Sequence, residues 1–544
     1  MTNVLVISFT RMGDLIQSGP LLRAIKHARE DARITLIVFD LFRDAARRLP
    51  MVDKVISFDV DQWVSLLDAQ RGSISNAYTQ AQDWLQDNGL SHCDLAVNLS
   101  HTKQSAMLCG MIEANEIVGL YRKPNGRLAV SGEWFNYLFS IMQDRTRNPF
   151  NLVEIYRRFY GRNSCGARLE FEVHPSDRES AMRLLSAHNL VPSQPYVVLQ
   201  AGASSPSRQW PTGKFAELAR RLSNSGRQVV LSGSQGEAQI LEEVVGMSER
   251  HAASLAGETS LGVLAAILEG AEKLISNDTG TIHLAAAVGT PTVGIYIGPA
   301  SAKDTAPYGN GHLIVEADLS CAPCGYHDRC ACPTCAKQIT VEHIFSLAMT
   351  TANESHEVAG NMQGIRVYRT QVGHDGQFSL ILLNSCSTGM RTEHRDYYRN
   401  FWDTLLAPDN GDSRTEEVKP AHLPSLEPAG LFELQHLLGS AQHAFLQLNL
   451  QHRRGPRDAK ALSDMLRIQA QWQNDLHPFM NKFPQLSPFI RYLLVKLSMV
   501  DSDNLEYYLS DMAGILSAFE QGVKLMDPNQ RDKNSIKKAD VCAA

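Results

Sequence analysis

The chain has no apolar stretch that approaches the roughly 20 residues needed to cross a bilayer, so we predict no membrane-spanning helix. Its N-terminus also lacks the basic region and cleavage site of a secretion signal. We therefore expect a cytoplasmic protein.

An excess of basic residues is also missing: 52 Lys and Arg stand against 58 Asp and Glu, a net charge of −6. With no nucleic-acid-binding motif either, we expect no nucleic acid partner. Ten cysteines in 544 residues, without an export signal, indicate thiols or metal ligands rather than a disulfide framework. A chain of this length is too long to fold around a single hydrophobic core, and it suggests roughly three to four domains.

Short apolar runs alternate with helix-like segments over the first 350 residues. The pattern predicts an α/β protein made of two doubly wound, Rossmann-like domains, at 1–170 and 171–350. Within it we predict a helix over 15–29 and an exit strand at 171–175. Ligands of such sheets bind outside the carboxyl ends of the strands. The runs read as strands are 4–7, 34–38, 95–99, 196–200, 228–231, 273–275 and 292–296.

The character of the sequence changes beyond residue 350. Residues 351–364 are polar and loop-like, and a β-hairpin is predicted with its turn at 373–376. We assign 351–420 to a linker with this hairpin and 421–544 to a helical extension, because apolar residues recur there at helical spacing. No residue pattern in this extension indicates chemistry.

Polar residues 276–283 lie where an apolar strand gives way to an alanine-rich helix. The first N–H groups of a helix and the positive end of its dipole make such a position an anion site. Thr279, Gly280 and His283 are therefore candidates for phosphate contacts. Asp278 either caps the helix or accepts hydrogen bonds from sugar hydroxyls.

A second candidate phosphate loop spans residues 200–211. Ala203 allows the backbone to approach a phosphate closely, and the Ser204 hydroxyl can donate to it. Arg208 carries a permanent charge that can stabilise a departing diphosphate. The alternative is an ordinary polar loop between a strand and a helix.

A third loop, residues 8–15, follows the first strand. Gly13 permits a tight turn, and Asp14 opens the next helix. In a cleft, Asp14 could act as a general base, but an aspartate at this position is commonly only a helix cap. The residues alone favour the cap.

These three segments occur in an order that resembles the heptosyltransferase family, glycosyltransferase family 9. Residues 298–299 and 307–309 also fit that family, and the resemblance covers residues 1 to about 350. It implies a GT-B fold, with two Rossmann-like domains facing a cleft. It also implies inverting transfer of heptose from ADP-heptose to a hydroxyl of the lipopolysaccharide core or a related cell-envelope glycan, without a metal or other cofactor.

By position, the resemblance implies that Asp14 is the base and that Arg208 neutralises the leaving diphosphate. Glu237 matches a carboxylate expected to bind the nucleotide ribose. The implied donor-binding residues are Gly13, Ala203, Ser204, Glu237, Asp278, Thr279, Gly280 and His283.

Two alternatives stay open because the chain continues almost two hundred residues past the usual end of the family. One is a related transferase that uses another sugar or a protein acceptor. The other is a non-catalytic scaffold that binds a nucleotide sugar and works through its extension.

Five cysteines lie close together between residues 321 and 335. Two Cys-x2-Cys pairs have the spacing of a tetrahedral thiolate site, which suits a structural Zn or Fe ion. The alternative is a reduced, thiol-rich loop. The candidate ligands are Cys321, Cys324, Cys332 and Cys335.

An aromatic run at 134–139 is followed by several arginines. Such a face could make a peripheral contact with the inner membrane, where a glycolipid acceptor would be presented. The alternative, which the residues favour, is a core helix beside a solvated one.

Overall fold

In the computed structural model, the chain forms two compact units. The first contains residues 1–127 and 150–389, and the second contains residues 128–149 and 390–544. The boundaries predicted from sequence at 170, 350 and 420 remain a prediction. The structure describes all residues except 60–73, 143–144, 161–166, 326–329, 331–332, 352–353, 386–391, 407–427, 455–458, 499, 501–504 and 527–544.

The first half of the first unit is built on a parallel sheet with strand order β3-β2-β1-β4-β5. The central strand has helices on either side, so Val6 and Ile7 are fully buried, which explains its unbroken apolar sequence. The strands are β1 (Thr2–Ser8), β2 (Ala32–Phe39), β3 (Lys54–Phe58), β4 (His92–Asn98) and β5 (Glu113–Arg122). The next strand, β6 (Leu128–Ser131), belongs to the second unit.

The helix predicted over 15–29 is two helices, Met12–Gln17 and Gly19–Ala28. The break follows from Pro20, which has no N–H to donate and cannot continue the helix that precedes it. The other helices of this half are Arg43–Arg47, Ile74–Asp87, Lys103–Gly110 and Leu152–Arg158.

The second half of the first unit has an eight-stranded sheet with strand order β14-β13-β12-β11-β10-β7-β8-β9. Strands β7 to β12 are parallel, and β13 and β14 add to the edge as an antiparallel pair. The strands are β7 (Tyr196–Gln200), β8 (Gln228–Leu231), β9 (Ala253–Ser254), β10 (Lys273–Asn277), β11 (Thr292–Tyr296), β12 (Leu313–Ala317), β13 (Ile365–Val372) and β14 (Phe378–Leu382).

Helices cover both faces of this sheet, so β7 contributes Leu199 to one buried cluster and Val198 to the other. Two such α/β halves constitute the predicted GT-B architecture. The helices of this half are Pro175–Ala187, Thr212–Asn224, Ala238–Met247, Leu261–Glu269, Gly280–Ala287, Ala302–Thr305, Thr334–Gln338, Val341–Ala348 and Ser355–Gly360.

Three local predictions for this half have different outcomes. The hairpin is confirmed, and it extends the second sheet because Leu313 of β12 pairs with Arg369 of β13. The exit strand at 171–175 is wrong: residues 171–174 form no strand, and Pro175 begins a helix after an extended His174. The loop predicted at 351–364 contains helix Ser355–Gly360, which buries Ala359.

The second unit is mainly helical, and its last four helices lie in the segment predicted to be a helical extension. Tyr137, Trp402 and Phe489 form an aromatic core within it. The aromatic run at 134–139 therefore belongs to a core helix, and Phe135 and Tyr137 are fully buried. The helices are Glu133–Ile141, Thr392–Leu405, Pro428–Arg454, Ala459–Lys482, Ser487–Ser498 and Leu505–Met526.

Among the residues that the structure describes, no helix combines the length and the apolar character that crossing a membrane requires.

Candidate active site

The two predicted phosphate loops lie side by side, because they follow the adjacent parallel strands β7 and β10. Asn277, at the end of β10, is fully buried and joins them. Its amide nitrogen donates to the carbonyls of Ala201 (2.8 Å) and Gly202 (3.1 Å), and its amide oxygen accepts from the Trp210 N–H (3.0 Å). Sequence reasoning gave Asn277 no role, although an amide ending a buried apolar strand is a signal for such a tie.

Arg208, Ser204 and Asp278 are brought together at this edge of the sheet. The Arg208 guanidinium donates to the Asp278 carboxylate and, over 3.2 Å, to the Ser204 hydroxyl. The second Asp278 oxygen accepts from the Thr305 hydroxyl at 3.4 Å. Asp278 is buried, so this charge pairing takes place largely away from water. Ala203, which precedes Ser204 in the loop at 200–211, is half-buried.

Asp278 is not the cap of the helix that follows, because the N-cap of helix Gly280–Ala287 is Thr279. The Thr279 hydroxyl lies 3.1 Å from the Ser276 hydroxyl and makes no capping bond to the helix. The start of this helix therefore presents backbone N–H groups beside Arg208, as an anion site requires.

His283, one turn into the same helix, is buried and neutral. Burial lowers the pKa of its imidazole to about 3, and the charges of Arg208 and His312 act in the same direction. Its Nδ1 atom has no hydrogen-bond partner among the described residues. His283 can therefore offer a hydrogen bond to a ligand at neutral pH but not a positive charge.

Helix Met12–Gln17 of the first half packs directly on this helix of the second half. A β-carbon added to Gly13 would lie 3.0 Å from Cδ2 of His283 and 3.1 Å from Cα of Gly280. Gly13 lies within its helix, so it serves this close approach rather than the tight turn that its position suggested.

Asp14, the next residue, is half-buried beside this contact. One carboxylate oxygen accepts from the backbone N–H of Arg11 at 3.3 Å, as a cap does. Burial is the main cause of a raised pKa for Asp14, and the charge of Asp278 adds to it, against the opposing influence of Arg11 and His101. A carboxylate with a raised pKa is a stronger base, so capping does not remove its capacity to take a proton.

Glu237 lies in a short helical turn that follows β8, next to the phosphate loop at residues 200–211. One oxygen accepts from the N–H (2.7 Å) and hydroxyl (2.9 Å) of Ser234, and the other accepts from the Gln200 amide at 3.3 Å. A β-carbon on Gly202 would come within 1.7 Å of Glu237 Oε1. The glycine therefore makes room for a carboxylate held in a fixed orientation.

The cysteine segment follows β12, and Cys332 lies outside the described residues. Of the other candidates, Cys321 is exposed, while Cys324 and Cys335 are half-buried. Among described residues, no group of three or more His, Cys, Asp or Glu side chains could hold a metal ion. The metal assignment therefore remains a prediction. Two cysteines elsewhere, Cys93 and Cys109, are buried, which raises the pKa of their thiols to about 11 and about 12.

Comparison with known proteins gives consistent results. The family pattern described as glycosyltransferase family 9 (heptosyltransferase) matches residues 88–332. Lipopolysaccharide heptosyltransferase 1 of Pseudomonas aeruginosa is 24% identical over 323 residues, which cover 59% of this chain and 85% of that protein.

Lipopolysaccharide heptosyltransferase 2 of Salmonella typhimurium is 34% identical over 161 residues, 29% of this chain and 44% of that protein. The chain thus spans less than half the length of this second relative. Among solved structures, ADP-heptose lipopolysaccharide heptosyltransferase II of E. coli aligns with a TM-score of 0.46 and 21% identity. That alignment covers 63% of this chain and 96% of the other.

The matched segment holds Ser204, Arg208, Glu237, Asp278 and His283, whereas Gly13 and Asp14 precede it. The family match and the named relatives agree with one another, and the two α/β halves have the architecture that the resemblance implied. Residues 88–332 therefore match glycosyltransferase family 9, the heptosyltransferase family, and the chain is a glycosyltransferase.

Proposed function

We propose that this glycosyltransferase moves heptose from ADP-heptose to a hydroxyl of the lipopolysaccharide core or a related cell-envelope glycan, with inversion at the anomeric carbon. The observation that carries the proposal is the joining of Arg208, Ser204 and Asp278 at the start of helix Gly280–Ala287, against the helix that bears Asp14. The names of the relatives supply the sugar and the acceptor class.

In this mechanism Asp14 removes the proton from an acceptor hydroxyl. The hydroxyl oxygen attacks the anomeric carbon of the donor from the face opposite the diphosphate. The bond between that carbon and the diphosphate oxygen breaks, and ADP leaves with the bonding electron pair. Single displacement gives inversion, and the raised pKa of Asp14 suits a general base.

Negative charge develops on the diphosphate as it departs, and two features would stabilise it. Arg208 provides a permanent positive charge, and the start of helix Gly280–Ala287 provides backbone N–H groups and the positive end of a helix dipole. Together they would supply the charge stabilisation that other transferases take from a divalent ion. We accordingly propose that no metal takes part in the transfer and that any ion at the cysteine segment is structural.

Asp278 and Glu237 would recognise the donor. Asp278 holds two hydrogen bonds from Arg208 and Thr305, and we propose that it turns one oxygen to a hydroxyl of the sugar or ribose. Glu237, fixed by Ser234 and Gln200, would accept from the ribose. We infer that the reaction takes place in the cytoplasm, with the glycolipid acceptor held at the inner membrane.

The test is incubation of the full chain with ADP-heptose and cell-envelope extract, followed by mass spectrometry of the products. The expected product is an acceptor that has gained one heptose unit, together with free ADP. Protein from which metal ions have been removed with a chelator should give the same product.

Three results would contradict the proposal in different ways. Transfer from UDP-sugars alone would overturn the donor. Heptose found on a protein instead of a glycan would overturn the acceptor. Binding of ADP without turnover in any extract would favour the scaffold alternative.

A further inference from the structure

Within the first unit, a buried set of hydrogen bonds joins helix Leu152–Arg158 of the first half to the hairpin that follows residue 364. The Arg157 guanidinium donates to the carbonyl of Gly376 at 2.9 Å and contacts the Tyr308 hydroxyl at 3.4 Å. The Tyr308 hydroxyl donates to the same carbonyl at 2.6 Å, and its ring stacks on Phe378. Arg157 is 6% exposed and Tyr308 1%, so these bonds are shielded from water and are costly to break.

Arg157 belongs to helix Leu152–Arg158, and this helix and its N-cap residue Asn151 make further contacts with the second half. Fully buried Glu154 accepts from the backbone N–H of Phe378 at 3.1 Å. The Asn151 amide donates to the carbonyl of Ala306 at 3.0 Å. One helix of the first half therefore holds both the hairpin turn and the loop at residues 305–309.

That loop leads directly to the donor site. Thr305 precedes Ala306, and its hydroxyl donates to Asp278 at 3.4 Å. Its carbonyl accepts from the Tyr296 hydroxyl at 2.7 Å. A shift of loop 305–309 would therefore move the group that orients one Asp278 oxygen.

The helix is also connected to the predicted base. Tyr156, between Glu154 and Arg157, is buried close enough to Asp14 for that charge to add to the effect of burial on its pKa. Residues 151–158 thus lie near the base on one side and contact loop 305–309 on the other.

We propose that Arg157 and Tyr308 are positioning residues: by binding the hairpin turn at Gly376, they hold loop 305–309 and so keep Asp278 oriented toward the sugar of the donor. This inference rests on the proposed function. It assigns a role in donor recognition to a hairpin that lies beyond the residues matched by the family pattern.

The test compares wild type with Tyr308→Phe, which removes one hydroxyl and keeps the aromatic stack. Calorimetric titration with ADP-heptose and with ADP, each without acceptor, separates sugar contacts from nucleotide contacts. We expect roughly three- to tenfold weaker binding of ADP-heptose and little change for ADP, because the loss of one buried hydrogen bond is of this order. Arg157→Lys, which loses the planar guanidinium, should likewise weaken the binding of ADP-heptose more than the binding of ADP.

Tyr196→Phe is the matched control. In the wild type the buried Tyr196 hydroxyl donates to the carbonyl of Ile267 at 2.7 Å. Tyr196 begins β7, whereas the phosphate loop at 200–211 follows the other end of that strand. The substitution should lower the Tm about as much as Tyr308→Phe and leave both affinities unchanged.

Unchanged ADP-heptose binding in Tyr308→Phe would overturn the positioning role while leaving the proposed function intact. An equal loss for ADP and ADP-heptose would also overturn it, since that result indicates general loosening of the site. Should Tyr308→Phe fail to fold, Arg157→Lys supplies the same comparison. Wild type that binds neither ligand would overturn the proposed function and this inference with it.

Discussion

The Arg208 guanidinium is hydrogen-bonded to the Asp278 carboxylate, although 70 residues separate them in sequence. The pair forms because β7 and β10 are neighbours and their loops leave the sheet at the same edge. It couples the residue proposed to stabilise the leaving group to the residue proposed to bind the sugar. The diphosphate of a bound donor would therefore contact an arginine whose guanidinium is already held in place by Asp278.

Removal of this charge should therefore affect the chemical step strongly. We expect Arg208→Ala to reduce kcat/KM by about 10²- to 10³-fold, as is usual when one group that stabilises developing charge is lost. Arg208→Lys should retain part of the activity, because a positive charge remains but the paired hydrogen bonds of the guanidinium to Ser204 and Asp278 are lost. Arg220→Ala, which removes a half-buried arginine paired with Glu217 outside the three candidate loops, serves as the control in steady-state assays. An active Arg208→Ala enzyme would contradict the assignment.

Asp14 should show a trade-off between activity and stability. Its pKa is raised in the native state, chiefly by burial, so the native protein binds this proton more tightly than the unfolded chain does. The free energy of unfolding then falls as pH rises from the unfolded value near 3.8 through the raised native pKa. We expect Asp14→Asn to abolish transfer yet raise the Tm at neutral pH, with the gain disappearing at about pH 4.

Asp177 provides the opposite case for the same melting experiments. Burial opposes ionisation there, but bonds from Arg48 and from the His174 N–H outweigh it and lower the pKa. Its stabilising contribution is present above the unfolded pKa and is lost as pH falls through the native pKa. Asp177→Asn should therefore lower the Tm at neutral pH and matter less in acid. The same trend with pH in both variants would contradict the Asp14 assignment.

Gly13 should not tolerate a methyl group. In Gly13→Ala the new β-carbon would meet His283 and Gly280, so the two helices must separate by a few tenths of an ångström. We expect a loss of about 1–3 kcal/mol in the free energy of unfolding and weaker ADP binding. Gly19→Ala, six residues on, is the control because nothing lies within 4 Å of its β-carbon. Equal effects of the two substitutions would show that the helix contact is not close.

Lys273 should matter for stability alone. Its buried ammonium donates to the carbonyls of Leu347 (3.2 Å), Ala348 (2.9 Å) and Thr350 (2.6 Å), at the end of helix Val341–Ala348. Lys273→Met would leave these acceptors unsatisfied and cost about 1–3 kcal/mol in denaturant unfolding. ADP affinity should not change. Lys54→Met, at an exposed lysine that donates to one carbonyl, should cost much less.

Sequence periodicity predicted the regular elements well where burial dictates composition. Strands β7, β8 and β11 have the bounds expected, because both faces of a parallel sheet exclude polar residues. It failed at residues 171–174, where an extended segment before a proline has no neighbouring strand. Local sequence specifies an extended backbone there but not the presence of a partner.

The sequence by itself determined the two α/β halves, the positions of the three candidate loops and the resemblance to glycosyltransferase family 9. These properties depend on apolar periodicity and on short motifs, which are local. Only the tertiary structure decided that Arg208 pairs with Asp278 and that Gly13 packs on His283. It also decided that the hairpin turn reaches Arg157. Such contacts depend on strand order and helix packing, which bring distant residues together and which no local pattern specifies.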